Sequence, residues 1–220
     1  MPGVVVEIPR HNLIVTALTK GPNSNPSSRK SRRRRPWRGA AVSTLGTEPS
    51  ATALISGLTM PDPSENWPHY SRRQLPSSRY IPGQSERPEE DTSVGNRLIR
   101  AHLVPEAWRN NEDYLYGIDC YNFGYWWECH ECLEMLWQVV GPKTVQGHFF
   151  QGLIQCAAGN LKRLMEIPNT DVKLWKRGLK HLSEVADVYM GCRVRDFERD
   201  TRDYWMQNTH QPARLRLGDS

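Results

Sequence analysis

The sequence predicts an all-α protein, in which a small bundle of four to five helices follows a disordered N-terminal extension. Apolar residues recur at helical spacing after about residue 79, and no strand pattern extends beyond a few residues. Residues 1–78 show no sustained period of either kind. Helical segments joined by short connections are typical of a helical bundle.

Residues 1–78 are predicted to be a basic, disordered extension. They contain eleven Lys or Arg and four acids, and subtraction from the totals of 29 and 24 leaves 18 basic and 20 acidic residues for 79–220. The run "KGPNSNPSSRKSRRRRPWRG" is rich in Pro, Ser and Arg, and cannot bury enough apolar area to offset its chain entropy. The net charge of +5 therefore belongs to the extension.

The basic extension has four interpretations, which the sequence leaves open. It is a solvated tail, or it contacts nucleic acid through clustered arginines beside an aromatic residue. It is a transit peptide over residues 1–47, or translation begins at Met60 and residues 1–59 are not made. The candidate nucleic-acid contacts are Arg32, Arg33, Arg34 and Arg35.

The helical domain is predicted at 79–208, with a flexible tail at 209–220. The chain shows no secretory signal and no apolar run long enough for a membrane span, so we expect a cytoplasmic protein without a membrane partner. In such a compartment the cysteines are expected to be reduced. A homo-oligomer is one of the expected states of the chain. The cysteines are Cys120, Cys129, Cys132, Cys156 and Cys192.

The first helix is predicted over 105–122. Pro105 suits the first turn of a helix, and Gly117 marks a predicted break. "NFG" (122–124) predicts a tight turn, because Asn and Gly tolerate left-handed backbone angles.

Four further helices are predicted, at 125–140, 144–166, 169–191 and 195–207. Gly141-Pro142 ends the first of them, and Thr170 or Asp171 caps the third. The third carries an apolar stripe at helical spacing: Trp175, Leu179, Leu182, Ala186 and Tyr189.

The chemistry of the sequence concentrates in "YWWECHECLEMLW" (125–137). At 100° per residue, one helical face about 120° wide holds five residues: Trp127, His130, Glu131, Glu134 and Trp137. Burying a histidine and two carboxylates is unfavourable unless each is hydrogen-bonded, paired or metal-bound. That cost is the reason to suspect a functional site.

Three interpretations of this face stay open. His130 and Glu134 at i, i+4 offer a nitrogen and a carboxylate to Zn, Mn or Fe, although the second histidine of the zinc-protease motif HExxH is absent. The same residues would alternatively form a buried polar network that fixes bundle geometry. The third interpretation is a metal or redox pair at Cys129 and Cys132, although a structural zinc site needs a second pair.

The following helix offers partners for this face. Gln151, Gln155 and Lys162 share one side of the predicted 144–166 helix, where they would meet His130 and Glu134 if the helices pack together. The alternative is that the glutamines are partly solvated and the lysine is an exposed charge.

"YLYGIDCYNFGYWWECHECLEMLW" (114–137) and "FFQGLIQCAAGNLK" (149–162), with "RYIPGQ" (79–84) upstream, resemble the family called domain of unknown function 309. The resemblance implies an all-helical domain and the activity of a metal-dependent hydrolase. It departs at Cys129 and Cys132, where small or aliphatic residues are usual. The signature polar residues of the family fall on Asn122, Glu128, His130, Glu131, Glu134 and Gln155.

The leading hypothesis is a metal-dependent hydrolase acting on an unidentified small molecule. His130 and Glu134 would bind the metal and Glu131 would be catalytic. The rival is a non-enzymatic binding or scaffold module. The groups expected to orient the metal ligands or the substrate are Asn122, Glu128, Gln151 and Gln155.

Overall fold

The computed structural model of the chain describes residues 60–62, 65–85, 104–167, 170–206 and 209–218. Within these residues the chain forms five α-helices, preceded by one turn-like 3-10 helix and interrupted by a two-stranded antiparallel hairpin. In chain order the elements are the 3-10 helix Pro105–Asn110, α1 Glu112–Asn122, α2 Trp126–Val140, α3 Val145–Leu164, α4 Thr170–Leu182, β1 Val188–Tyr189, β2 Cys192–Arg193 and α5 Val194–Trp205.

Helices α1 to α4 pack mainly against their neighbours along the chain, as the short connections between them require. Their shared core is aromatic: Tyr114 on α1 contacts Phe149 and Phe150 on α3 with ring centres 6.1 and 6.2 Å apart. Tyr121 lies edge-on to Phe197 on α5, at 5.3 Å. The predicted all-α class is confirmed.

The first predicted helix is divided at Asn111, which the sequence prediction missed. Asn111 leaves helical geometry, and its side chain accepts a hydrogen bond from the Tyr114 backbone N–H at 2.9 Å, so it caps α1. The predicted break at Gly117 is wrong, because Gly117 lies inside continuous helix. A Cβ there would come within 2.6 Å of the Leu133 side chain. The glycine therefore allows α2 to pack closely against α1 and does not end α1.

The turn before α2 and the limits of α2 agree with the sequence prediction. Gly124 has φ +77°, the left-handed region that favours glycine. The Tyr125 backbone N–H reaches back to the Cys120 carbonyl at 2.8 Å, which closes the turn between α1 and α2. Helix α2 then ends at Val140, immediately before Gly141.

Helix α4 ends at Leu182, not at the predicted residue 191. Trp175, Leu179 and Leu182 of the predicted stripe are buried, whereas Ala186 is exposed and Val185 is buried in its place. Beyond Leu182 the chain turns and forms the hairpin of β1 and β2. The helical spacing of apolar residues in the sequence therefore continues beyond the end of the helix itself.

Segments on both sides of the helices pack against them, where the sequence predicted disorder and a tail. Asp119 on α1 accepts hydrogen bonds from the backbone N–H groups of Tyr70 and Ser71, at 2.8–3.1 Å. Ala213 and Leu215 of the C-terminal segment are buried, and Leu217 forms an isolated bridge with Cys192. The structure thus differs from the predicted boundaries at 78 and 209. Residues 1–59 lie outside the described part of the chain.

None of the helices in the described ranges combines the length and the apolar character that crossing a membrane requires.

Candidate metal centre

Helix α2 brings His130, Glu131 and Glu134 together at one point of its surface. Nδ1 of His130 lies 3.2 Å from Oε1 of Glu131 and 3.7 Å from Oε2 of Glu134. One ligand atom from each of the three side chains lies within 4.8 Å of the other two. The i, i+4 spacing of His130 and Glu134 places them one turn apart on the same face, and Glu131 borders that face.

The three side chains differ in their access to solvent. The His130 side chain is 1% exposed, that of Glu134 is 11% exposed and that of Glu131 is 36% exposed. The cluster therefore runs from a fully buried imidazole to a partly exposed carboxylate.

The two ring nitrogens of His130 have different surroundings. Nδ1 faces the carboxylates, whereas Nε2 is buried and has no hydrogen-bond partner among the described residues. The indole of Trp127 stacks along the imidazole, with ring centres 6.0 Å apart and planes 25° apart. The ring is thus held in place by packing, and an orphaned buried nitrogen is a sign that the group has a further partner.

Burial raises the pKa of Glu134, and the charge of Glu131 raises it further, while His130 lowers it. The first cause is the largest, so the ionised form of Glu134 is less favourable here than in water. A nearby positive charge would reverse this, because opposite charge favours the carboxylate.

The donor set suits a divalent metal ion. One imidazole and two carboxylates are ligands of Zn, Mn and Fe. Ligands held about 2.0–2.2 Å from zinc are about 3.3–3.6 Å apart at tetrahedral angles, close to the 3.2 and 3.7 Å seen around Nδ1. The limit of 4.8 Å within the group exceeds this spacing, so three ligands to one ion would need a modest movement. These residues fit a metal.

Asn122 and Glu128 make hydrogen bonds to chain segments outside the cluster. The side-chain nitrogen and oxygen of Asn122 bond to the backbone of Leu215 at 2.9 and 2.7 Å. Glu128 accepts a hydrogen bond from the Tyr80 backbone N–H at 2.8 Å, and burial raises its pKa. Both residues therefore hold chain segments against the helices. None of these bonds supports their predicted role beside the candidate metal ligands.

Gln151 and Gln155 are half-buried on α3, and Oε1 of Gln155 is buried without a hydrogen-bond partner among the described residues. Helices α2 and α3 pack together across the short connection 141–144, so residues equally far from its middle lie level. By this count we expect His130 to be level with Gln155, and Glu134 to be level with Gln151. Both His130 and Gln155 carry a buried polar atom without a hydrogen-bond partner among the described residues, Nε2 of His130 and Oε1 of Gln155.

Lys162, which follows the glutamines on α3, is buried, and burial lowers its pKa. The alternative in which it is an exposed charge at the helix end is wrong, because α3 continues packing along this turn.

The cysteines show no sign of a metal or redox site. All five are unpaired and buried. Burial raises the pKa of Cys129 well above its ordinary value and that of Cys132 to about 12, so both thiols are protonated and unreactive at neutral pH. The Cys132 thiol lies 3.1 Å from the Asp113 carbonyl on α1, on the side of α2 away from the cluster.

A cleft of about 510 Å³ lies apart from the cluster, and its lining includes none of the three residues. Its walls carry arginines beside an acid and apolar groups, which is a chemistry of anion contact rather than of metal binding. The lining residues are Tyr70, Arg72, Arg73, Arg109, Asn110, Glu112 and Leu115. The cluster is therefore distinguished by its donor geometry and not by a cavity.

Sequence reasoning missed Asp119, which is fully buried and anchors the segment before the helices. Its signal was a lone acid in the apolar run "YGIDCY". Arg32, Arg33, Arg34 and Arg35, the candidate nucleic-acid contacts, lie outside the described residues.

Comparison with known proteins supports the resemblance inferred from the sequence. Residues 114–171, from α1 to the start of α4, match the family described as domain of unknown function (DUF309). This segment contains all three residues of the cluster. Comparisons with curated proteins and with solved structures found no match.

Proposed function

We propose that this chain, whose residues 114–171 match the domain of unknown function 309 family, binds a divalent metal ion and is a metal-dependent hydrolase. The observation that carries the proposal is the convergence of one imidazole nitrogen and two carboxylates on α2, with the nitrogen buried and one carboxylate at the surface. A polar network that only stabilised the fold would not need a carboxylate in contact with solvent.

The burial of each side chain suggests its role. His130 and Glu134 are the buried members, so they would hold the ion, which would supply Lewis acidity to the reaction. Glu131 is the most exposed member and keeps contact with solvent. It would take the proton from the attacking water, the role of a general base.

The glutamines of α3 would complete the site. Because Gln155 is level with His130 and has a buried oxygen without a partner among the described residues, it would orient a ligand group or the substrate. Gln151, level with Glu134, would do the same at the open side. The substrate is a small molecule with a hydrolysable bond.

The metal content of the purified full-length chain tests the proposal directly. We expect near-stoichiometric Zn, Mn or Fe by inductively coupled plasma mass spectrometry, and its loss in His130→Ala and Glu134→Gln. Glu131→Gln should retain most of the metal and lose hydrolysis of chromogenic ester, amide and phosphodiester substrates by about 10²-fold or more. Glu106→Gln, an exposed acid outside the cluster, is the matched control.

One outcome would favour the rival scaffold module. If the wild-type chain holds no metal and His130→Ala only lowers the melting temperature, the cluster is a buried polar network and the proposal fails.

A further inference from the structure

Two histidines outside the cluster face each other across the contact between α3 and α4. Nδ1 of His148 lies 3.1 Å from Nδ1 of His181. The ring centres are 5.3 Å apart and the planes are inclined by 40°. Neither residue takes part in the proposed hydrolysis, and both are half-buried, so solvent reaches the pair.

Two imidazole nitrogens at this distance share either a proton or an ion. Either one ring carries a proton on Nδ1 and donates it to the other, or both lone pairs point at a bound cation. The rings face each other nearly head-on, the arrangement of a shared proton. Small rotations of the two rings would bring both lone pairs onto one ion instead.

Burial, followed by the neighbouring charges, favours the neutral form of the His181 ring. Burial lowers the pKa of His181, and His148 and Lys180 lower it further, while Glu184 raises it. Metal ions bind neutral imidazole, so this environment leaves the nitrogen available as a ligand.

We propose that His148 and His181 form a second cation site, which takes a divalent ion that prefers imidazole nitrogen, such as Zn²⁺, Ni²⁺ or Cu²⁺. Two nitrogens about 2.0–2.1 Å from zinc are about 3.3 Å apart at a tetrahedral angle, close to the observed 3.1 Å. The remaining positions are open to water and to a third donor.

Glu184 is placed to be that donor. Its backbone N–H bonds to the His181 carbonyl at 3.2 Å, so the chain turns back beside the pair. The Glu184 side chain is exposed and near enough to influence His181, and rotation would bring its carboxylate to the ion. The completed set is two histidines and a carboxylate, and the ion would join α3 to α4.

Zinc titration of the full-length His130→Ala variant separates this site from the first one. We expect Zn²⁺ to raise the melting temperature of this variant by several degrees, because the ion binds the folded state only. His148→Gln and His181→Gln, each added to that background, should remove the rise. The double substitution should remove no more than either single one, since one ion needs both nitrogens.

His210→Gln, which alters an exposed histidine, is the control and should keep the full rise. Imidazole ¹⁵N NMR of the wild-type chain gives a second readout that needs no variant to fold. Zinc should move the Nδ1 signals of His148 and His181. If those signals stay unchanged, or if the rise persists in His148→Gln, the pair is hydrogen-bonded only and the proposal is wrong. Either result is independent of metal binding at His130.

Discussion

Glu134 shows, at the scale of single residues, that a buried carboxylate can lower the stability of the fold. Its carboxylate is largely buried beside another carboxylate, and burial raises its pKa. A folded-state pKa above the unfolded value of 4.5 means that ionisation destabilises the folded chain. The cost is absent below pH 4.5, develops through the raised pKa, and is complete above it.

Glu134→Gln should therefore raise the melting temperature of the metal-free chain at pH 7, because the amide imitates the protonated acid. The gain should shrink as pH falls below the folded-state pKa of Glu134, since the wild-type residue becomes protonated there. Thermal unfolding of both chains in chelator, from pH 4 to 8, measures the difference. A lower melting temperature of the variant throughout this range would show that Glu134 stabilises the fold by its charge.

At the scale of elements, the close contact of α3 with α4 depends on glycines, which have no side chain at the interface. A Cβ on Gly152 would lie 2.6 Å from Leu182, which is fully buried, and 3.1 Å from the Gly178 carbonyl. Gly159 lies two helical turns further along α3. A Cβ there would meet the backbone of α4 at 3.4 Å, an ordinary contact. Substitution by alanine is therefore expected to have different effects at these two glycines.

Gly152→Ala should destabilise the protein by about 1–3 kcal/mol, because the added methyl forces α3 and α4 apart. Gly159→Ala should be neutral or stabilising by up to about 1 kcal/mol, because alanine favours helix without a clash. Urea unfolding of the two variants checks both values. Equal effects would contradict the close approach at Gly152.

The elements also show how far sequence patterns reach. Turn chemistry at Gly124 and Gly141 predicted both ends of α2 to within a residue, because those signals are local. The interpretation of Gly117 as a helix break failed, and periodicity failed at residues 183–191. There the outcome depended on Leu133 filling the space over a glycine, and on where α3 stops covering α4.

At the scale of the whole molecule, side chains of α1 and α2 hold segments from both sides of the bundle. Asp119 and Glu128 bind the backbone of the preceding segment, and Asn122 binds Leu215 of the following one. The residues before and after the helices are therefore part of the folded unit.

Removal of residues 209–220 should lower stability by at least about 2 kcal/mol, since Leu215 leaves the core and the buried Asn122 amide loses its partners. For a chain of this size that corresponds to a fall in melting temperature of about 4 °C or more. Removal of residues 219–220 alone is the control, because it leaves these contacts in place. An unchanged melting temperature after the longer truncation would mean that the segment is a tail.

The amino-acid sequence by itself determined the helical class, the turn at Gly124, and the shared face of His130, Glu131 and Glu134. The class follows from helical periodicity, the turn from the residue types at its positions, and the shared face from spacing along one helix. Each of these is a local property of the sequence. Only the tertiary structure decided that Asn122, Asp119 and Glu128 hold neighbouring segments, and that His148 meets His181. Those contacts join residues from 33 to 93 positions apart, and no local pattern specifies which distant groups will be brought together.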